Sequence, residues 1–437
     1  MVRNRPVFPD YPSLVDHLNG MGCFHMRLGL SRVRTALERL DIDPSPAIQV
    51  VGTNGKGSTA VFLEALARGH GLRTGLYTSP HLVSIRERIK MNGRALPEAE
   101  WASLATQVYD AWPEADLTYF ELLTIMALVA FKRQGVDLAV FEAGLGAAND
   151  ATSAVPPMLS VITPIGLDHQ QVIGPGLADI ARDKAATLRA HGGAVSGPQD
   201  QVVMDILRSR AKSVGAFLHM ADEWWTPRGQ GALFNPLGCP EDGFFVPRFG
   251  LSGSFQASNA MLALAAWWLA AKDRGWPFEI GPCIQSLADA RHPGRFQFLD
   301  VGPGFLVDGA HNEHGLTALA AAMSISGIEP EGAIFACLGD KSGLTDMIRN
   351  LVRGPILVPG LPGNERALDP SALAAKIGGR PFETVAEAVR AALELPGPVL
   401  VCGSLYLVGA FLTELSRIFP VLETGLEEFV NDARSQG

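Results

Sequence analysis

A strand-like apolar run, Ala47 to Val51, passes directly into Gly52-Thr53-Asn54-Gly55-Lys56-Gly57-Ser58-Thr59, and a segment carrying Phe62, Leu63 and Leu66 at helical spacing follows at once. Strand, glycine-rich turn and helix in that order form the first part of a βαβ unit, so the chain is committed to an α/β fold with helices packed on a parallel sheet. Parallel strands are buried on both faces and read as short, continuous apolar stretches. Such stretches recur at Thr74 to Thr78, Val136 to Phe141 and Met158 to Thr163, with helical segments between them.

The same rhythm restarts after His292-Pro293-Gly294, with apolar runs at Phe305 to Val307, Ala333 to Leu338, Pro355 to Val358 and Val399 to Cys402. A single core stops growing at about 250 to 300 residues. The 437 residues therefore predict two domains, 1–294 and 295–437. Trp224 to Leu251, rich in Gly, Pro and aromatics, predicts irregular or short antiparallel structure at the end of the first, and Ala260 to Ala271 a buried helix.

The chemistry of the glycine-rich loop is that of phosphate binding. Glycines let successive backbone N–H groups turn inward around phosphate oxygens, a helix N-terminus adds positive potential, and Lys56 supplies a mobile cation for β- and γ-phosphates. Gly52, Thr53, Asn54, Gly55, Lys56, Gly57, Ser58 and Thr59 are thus candidate nucleotide ligands. Val50 stands where a common P-loop has its first Gly, and Gly57 separates Lys56 from Ser58. That spacing disfavours an ordinary kinase or GTPase.

Three other segments end predicted strands with oxygen or nitrogen donors: Thr78-Ser79-Pro80-His81, Phe141-Glu142-Ala143-Gly144 and Gly166-Leu167-Asp168-His169. Ligands of open α/β sheets bind at the carboxyl ends of strands, and Mg²⁺ needs few protein ligands. A hydroxyl, a carboxylate and an imidazole from three strands make a workable set.

A net charge of -9 disfavours nucleic acid and anionic membrane as partners and favours small-molecule chemistry. The five cysteines are scattered and form no C-x-x-C pair, as expected of reduced thiols in the cytoplasm. The N-terminal residues lack an apolar signal core, and no apolar run reaches the roughly 18 residues of a membrane span.

The G-T-N-G-K-G-S loop, His292-Pro293-Gly294-Arg295-Phe296, Val307-Asp308-Gly309-Ala310-His311-Asn312, Leu338-Gly339-Asp340-Lys341 and Gly403-Ser404-Leu405-Tyr406-Leu407-Val408-Gly409 together resemble, over about the whole chain, folylpolyglutamate synthases and dihydrofolate synthases. These are the folate branch of the Mur ligase superfamily. The resemblance implies a P-loop-containing N-terminal domain with a central, mostly parallel sheet and a smaller Rossmann-like C-terminal domain. It implies ATP and Mg²⁺ as cofactors, a monomer, and an ATP-dependent amide ligase that joins L-glutamate to a pteridine-bearing carboxylic acid through an acyl phosphate.

By the same resemblance Ser79, Glu142 and His169 are metal ligands, and Lys184 is a carbamylated lysine holding a second metal, so that Lys56, His169 and Lys184 carry the chemistry. Asn259, Arg295, Asp308 and His311 contact nucleotide. Arg27, His81, Arg88, Phe120 and Asp150 line the acceptor site, where Phe120 is either a stacking face for a pteridine or core.

Some positions depart from the family pattern. Ala148 and Ser153 replace the Arg and final Asn of G-L-G-G-R-x-D-A-T-N, Lys184-Ala185-Ala186-Thr187 replaces K-A-G-I, and Phe255 replaces the His of H-Q-x-x-N-A. They leave open a ligase of the same fold acting on another carboxylate, and a nucleotide-binding protein without ligase activity.

Overall fold

In a computed structural model of the chain, the central feature is an eight-stranded sheet. Its strands are β1 (Ala47–Val51), β2 (Thr74–Tyr77), β3 (Ile89–Met91), β4 (Arg94–Ala95), β5 (Leu138–Glu142), β6 (Leu159–Ile162), β7 (Gly193–Ser196) and β8 (Phe217–Met220). Their spatial order is β4-β3-β2-β5-β1-β6-β7-β8. The six strands from β2 to β8 in that order run parallel, and β3 and β4 add an antiparallel hairpin at one edge. The structure describes residues 6–22, 25, 27–236, 238–239, 242–361, 364, 366–420, 422 and 425–426, with 340–342 described by backbone alone.

Every residue of β1 is buried, and β5 and β6 lie on its two sides. The chain therefore reverses its direction of winding at the end of β1, the topological switch point at which open α/β sheets bind ligands. The glycine-rich loop leaves from there into the helix Lys56–Gly69. The helix Tyr119–Gln134 starts with a capping box, in which Thr118 and Glu121 satisfy each other's backbone N–H, and stops at Gly135 in the left-handed conformation, φ 59°. The segment Trp224 to Leu251 contains a three-stranded antiparallel sheet, β9 (Trp225–Arg228), β10 (Gly231–Phe234) and β11 (Phe244–Val246).

A second sheet holds β12 (Gln297–Leu299), β13 (Phe305–Val307), β14 (Gly332–Phe335), β15 (Ile356–Pro359), β16 (Arg380–Phe382) and β17 (Val399–Cys402), in the order β12-β13-β17-β14-β15-β16. All its pairs are parallel except β12 with β13. Leu306, Phe335, Leu400 and Cys402 from the sheet and Leu316, Leu319 and Met323 from the helix Glu313–Ser326 share one core. The chain divides into two units, one of Met1–Ser79, Arg88–Arg248 and Asn259–Asp289, the other of Pro80–Glu87, Phe249–Ser258 and Ala290–Gly437. Among the described residues no helix is long and apolar enough to cross a membrane.

Candidate active site

The glycine-rich loop is tied to the end of β6. The Thr53 and Asn54 amides donate to the Pro164 carbonyl at 3.0 and 3.3 Å, and the Thr53 hydroxyl donates to the Gly166 carbonyl at 3.0 Å. A Cβ on Gly52 would collide with Thr163, and one on Gly55 with the Asn259 amide oxygen, at φ +145° and +85° respectively. Only glycine tolerates both the conformation and the approach. Asn259 is thereby pressed against the loop.

The first bond of the helix Lys56–Gly69 runs from the Thr59 amide to the Gly55 carbonyl at 2.9 Å, so the N–H groups of Lys56, Gly57 and Ser58 precede the intrahelical ladder and are the donors suited to an anion. Lys56 Nζ rests on the Thr53 carbonyl at 3.0 Å, and the buried Thr59 hydroxyl has no hydrogen-bond partner. An orphaned buried hydroxyl beside a lysine and open helix amides fits a phosphate group with its metal.

Lys184, near the end of the helix Leu177–Ala185, is buried, and its Nζ donates to the Gly52 carbonyl at 2.8 Å. Burial first and the Lys56 charge second pull its pKa down to about 7, against the carboxylates of Asp183, Asp168 and Asp150. Lys184 is therefore not an exposed helix lysine but a desolvated amine facing the loop. Asp183 beside it accepts from the Ala147 amide at 2.8 Å and packs against Gly146, whose φ is +71°.

Of the three expected metal ligands, Glu142 and Ser79 are joined directly: the Ser79 amide donates to the buried Glu142 carboxylate at 2.9 Å. His169 has a left-handed backbone, φ 52°, and its amide donates to Asp168 at 2.7 Å. Among the described residues no group of three or more His, Cys, Asp or Glu could hold a metal. Hydroxyl, carboxylate and imidazole, the donors expected here, are of the kind that suits a cation keeping several water and phosphate ligands.

Beside this group lie Tyr77, Arg88, Phe120 and Asp150. Arg88 is buried with its guanidinium 5.4 Å from the Tyr119 ring centre, and its charge, like that of Asp150, reaches the buried Tyr77 phenol. Asp150 accepts from the Leu145 amide at 2.8 Å, the Thr152 amide at 3.0 Å and the Thr152 hydroxyl at 2.5 Å. Burial raises its pKa and those donors oppose the rise. Phe120 is half-buried, packed on Gly144 and 5.7 Å from the Tyr77 ring. Arg27 pairs with Asp116, and its carbonyl accepts from Arg32, whose guanidinium pairs with Glu121 next to Phe120.

In the second unit, both oxygens of buried Asp308 accept backbone N–H groups, from Phe296 at 2.8 Å and Ala310 at 2.7 Å. The Arg295 guanidinium lies against Gly309, so Asp308 anchors the segment that carries Arg295. His311 Nδ1 donates to the Gly309 carbonyl at 2.8 Å, which fixes the orientation of the ring. His81 lies in the Pro80–Glu87 segment, where Glu87 accepts from the amides of Leu82, Val83 and Ser84. The side chains of Asp340 and Lys341, in the Leu338-Gly339-Asp340-Lys341 segment, lie outside the described residues, as does Met26. Sequence reasoning passed over Asp183, Tyr77 and Gln49; a glutamine inside the apolar run of β1 was the available signal for the last.

Comparison with known proteins agrees with the fold. A family model described as the Mur ligase middle domain matches residues 50–267, and one described as the Mur ligase glutamate ligase domain matches residues 294–405. The chain is 31% identical over 418 residues to the dihydrofolate synthase/folylpolyglutamate synthase of Escherichia coli K12, covering 91% of this chain and 93% of that protein. It is 31% identical to a probable bifunctional folylpolyglutamate synthase/dihydropteroate synthase of Haloferax volcanii, covering 93% of this chain and 51% of that one, so it spans about half the length of that relative. Among solved structures it is similar to E. coli FolC in complex with DHPP and ADP, with TM-score 0.85 and 30% identity over 95% of this chain and 100% of that one. It is also similar to the Yersinia pestis bifunctional folylpolyglutamate synthase/dihydrofolate synthase complexed with AMPPNP and Mn ion, with TM-score 0.83 and 30% identity over 95% of this chain and 100% of that one.

Proposed function

The chain belongs to the folylpolyglutamate synthase/dihydrofolate synthase family of Mur ligases, and from that premise we propose that it is an ATP-dependent ligase joining L-glutamate to dihydropteroate, to reduced folates, or to both. The observation that carries this reading is the gathering of Lys56, Asn259 and Lys184 around the Gly52–Thr59 loop, with the Glu142–Ser79 pair at the end of neighbouring strands.

An oxygen of the acceptor carboxylate attacks the γ-phosphorus of ATP, the bond from that phosphorus to the bridging oxygen breaks, and ADP leaves. The glutamate amine then attacks the acyl carbon, the tetrahedral adduct expels phosphate, and the amine gives up a proton as the amide forms. Lys56 and the first-turn amides hold the transferring phosphoryl group in line and offset its charge. Mg²⁺, held by Ser79, Glu142 and His169, supplies further charge neutralisation when bound. Carbamylation of Lys184 exchanges a cation for an anion at the same place, so the residue can support a second cation instead of repelling it. Asn259, Arg295, Asp308 and His311 are the proposed nucleotide contacts or their supports, and Arg88, Phe120 and Asp150 the acceptor contacts. Arg27 and His81 are assigned to the acceptor by resemblance alone.

A second reading, a ligase of this fold for another carboxylate, is favoured by Ala148 and Ser153. Phosphate release from Mg-ATP and glutamate, with dihydropteroate and tetrahydrofolate as separate acceptors and mass spectrometry for an added glutamate, separates the two. Addition to neither acceptor sinks the folate reading. We place the reaction in the cytoplasm, supported by the buried cysteines Cys239, Cys283, Cys337 and Cys402, none of which is in a disulfide, and assign a monomer, which sedimentation checks.

A further inference from the structure

Gln49 lies at the middle of β1, three residues before Gly52, and is buried with its amide group fully engaged. Its Nε2 donates to the Thr152 hydroxyl at 2.9 Å and to the Ser153 hydroxyl at 2.7 Å, while its Oε1 accepts from the Thr187 hydroxyl at 2.9 Å. Ser160 on β6 lies 2.9 Å from the Thr187 hydroxyl. The direction of the chain is fixed at one end. The Asp150 carboxylate only accepts, so the Thr152 hydroxyl donates to it and must in turn accept from Gln49. Donors therefore run in one sense, from Thr187 through Gln49 and Thr152 to Asp150, while the Ser160 hydroxyl donates to the Thr187 carbonyl at 2.9 Å and holds that end in place.

We propose that Gln49 is a positioning residue which, through this chain of hydrogen bonds, sets the Asp150 loop in register with the turn after Lys184. Thr187 closes the end of the Lys184 helix, its amide donating to the Lys184 carbonyl at 3.2 Å. The acceptor-binding loop, the helix bearing Lys184 and the strand that feeds the phosphate loop thus meet on one side chain. Ser153 and Thr187, two of the positions at which the motifs depart from the family pattern, are both bonded to Gln49, so they act as a pair. Buried hydrogen bonds polarise one another, and a break in one member leaves its neighbours unsatisfied. This inference rests on the assignment of Asp150 to the acceptor site, and its test separates the two claims.

Amide exchange at Leu145 and Thr152, whose N–H groups both end on Asp150, and equilibrium binding of dihydropteroate and of ADP are compared for wild type, Thr187→Val, Thr187→Ser, Ser153→Ala and the Thr187→Val/Ser153→Ala double variant. Thr187→Val keeps the side-chain shape and removes the hydroxyl, so exchange at both amides is expected to rise and dihydropteroate to bind about tenfold more weakly, with ADP binding changed less than about twofold. Thr187→Ser restores both, and the double variant loses less than the two single changes combined. Unchanged exchange in Thr187→Val, or equal losses for dihydropteroate and ADP that track a lowered melting temperature, overturns the proposal. Exchange that responds in an enzyme whose wild type fails to bind dihydropteroate sustains the Gln49 chain and sinks the acceptor assignment instead.

Discussion

The Nζ of Lys184 lies 2.8 Å from the carbonyl of Gly52, at the tip of a side chain only 3% exposed, so an amine on one helix is fixed at the root of the phosphate loop. Burial and Lys56 pull its pKa to about 7, and the amine is increasingly neutral as pH rises through that value. The neutral amine is the form that attacks CO2, forming an N–C bond and releasing one proton. At fixed dissolved CO2, carbamate on the enzyme is therefore expected to increase from about pH 6 to about pH 8. Native mass spectrometry reads it as a gain of one CO2 per chain, and NMR with labelled bicarbonate as a carbamate carbonyl. Lys184→Ala should lose about 10- to 100-fold in kcat and recover part of it with a short carboxylic acid such as acetate. A lysine that stays unmodified at every pH removes the assignment.

Gly55 and Asn259 give a second expectation. At φ +85° an alanine is strained by about 1–2 kcal/mol, and its Cβ would displace the Asn259 amide oxygen. Gly55→Ala should lower the melting temperature modestly and weaken ADP binding by well over tenfold, read by calorimetry. Equal ADP affinity in the variant would mean that the loop does not hold nucleotide phosphates in this conformation.

Much of this arrangement is legible in the sequence because central parallel strands and glycine-rich turns leave strong local patterns. β1, β13 and β17 coincide with their apolar runs, and Lys56 and Asn259 stand in short motifs. β7, β8 and the β3–β4 hairpin escaped the reading because they are short and lie toward the sheet edges, where β8 leaves Phe217 66% exposed. Of the charged neighbours of Lys184, Asp183 adjoins it in sequence, whereas Lys56, Asp150 and Asp168 come from three separate stretches that only folding brings to it. Gln49 is invisible for a different reason. A polar residue inside a strand looks like noise until its hydrogen-bond partners are known.

Asp308 yields a third expectation. Each carboxylate oxygen accepts a backbone N–H, so in Asp308→Asn one of those amides faces an NH2 group instead of an acceptor. Leaving a buried donor unmet costs about 1–3 kcal/mol. Thermal melting should fall accordingly, and because the Phe296 amide adjoins Arg295, kcat should fall with it. Arg295→Lys keeps the charge and loses the forked donors, so it should lower kcat without the stability loss. If Asp308→Asn melts like wild type, the carboxylate is not the anchor of that segment.

The last expectation concerns Glu142, whose carboxylate takes the Ser79 amide at 2.9 Å. One of its oxygens therefore orients the Ser79 turn, and its negative charge is what the carboxylate would offer a cation. Glu142→Gln can keep the Ser79 hydrogen bond through its carbonyl oxygen while removing the negative charge, so fold and loop geometry should survive and cation affinity should not. Half-maximal activity should then need about tenfold or more Mg²⁺, with the melting temperature nearly unchanged in metal-free buffer. Glu142→Ala removes both functions, and the difference between the two variants isolates the turn from the metal. Chelation of the wild type should abolish turnover, and either Mg²⁺ or Mn²⁺ should restore it, because oxygen and imidazole donors accept both. A Glu142→Gln enzyme with an unaltered Mg²⁺ titration would move the cation away from Glu142 and leave this carboxylate a purely structural part.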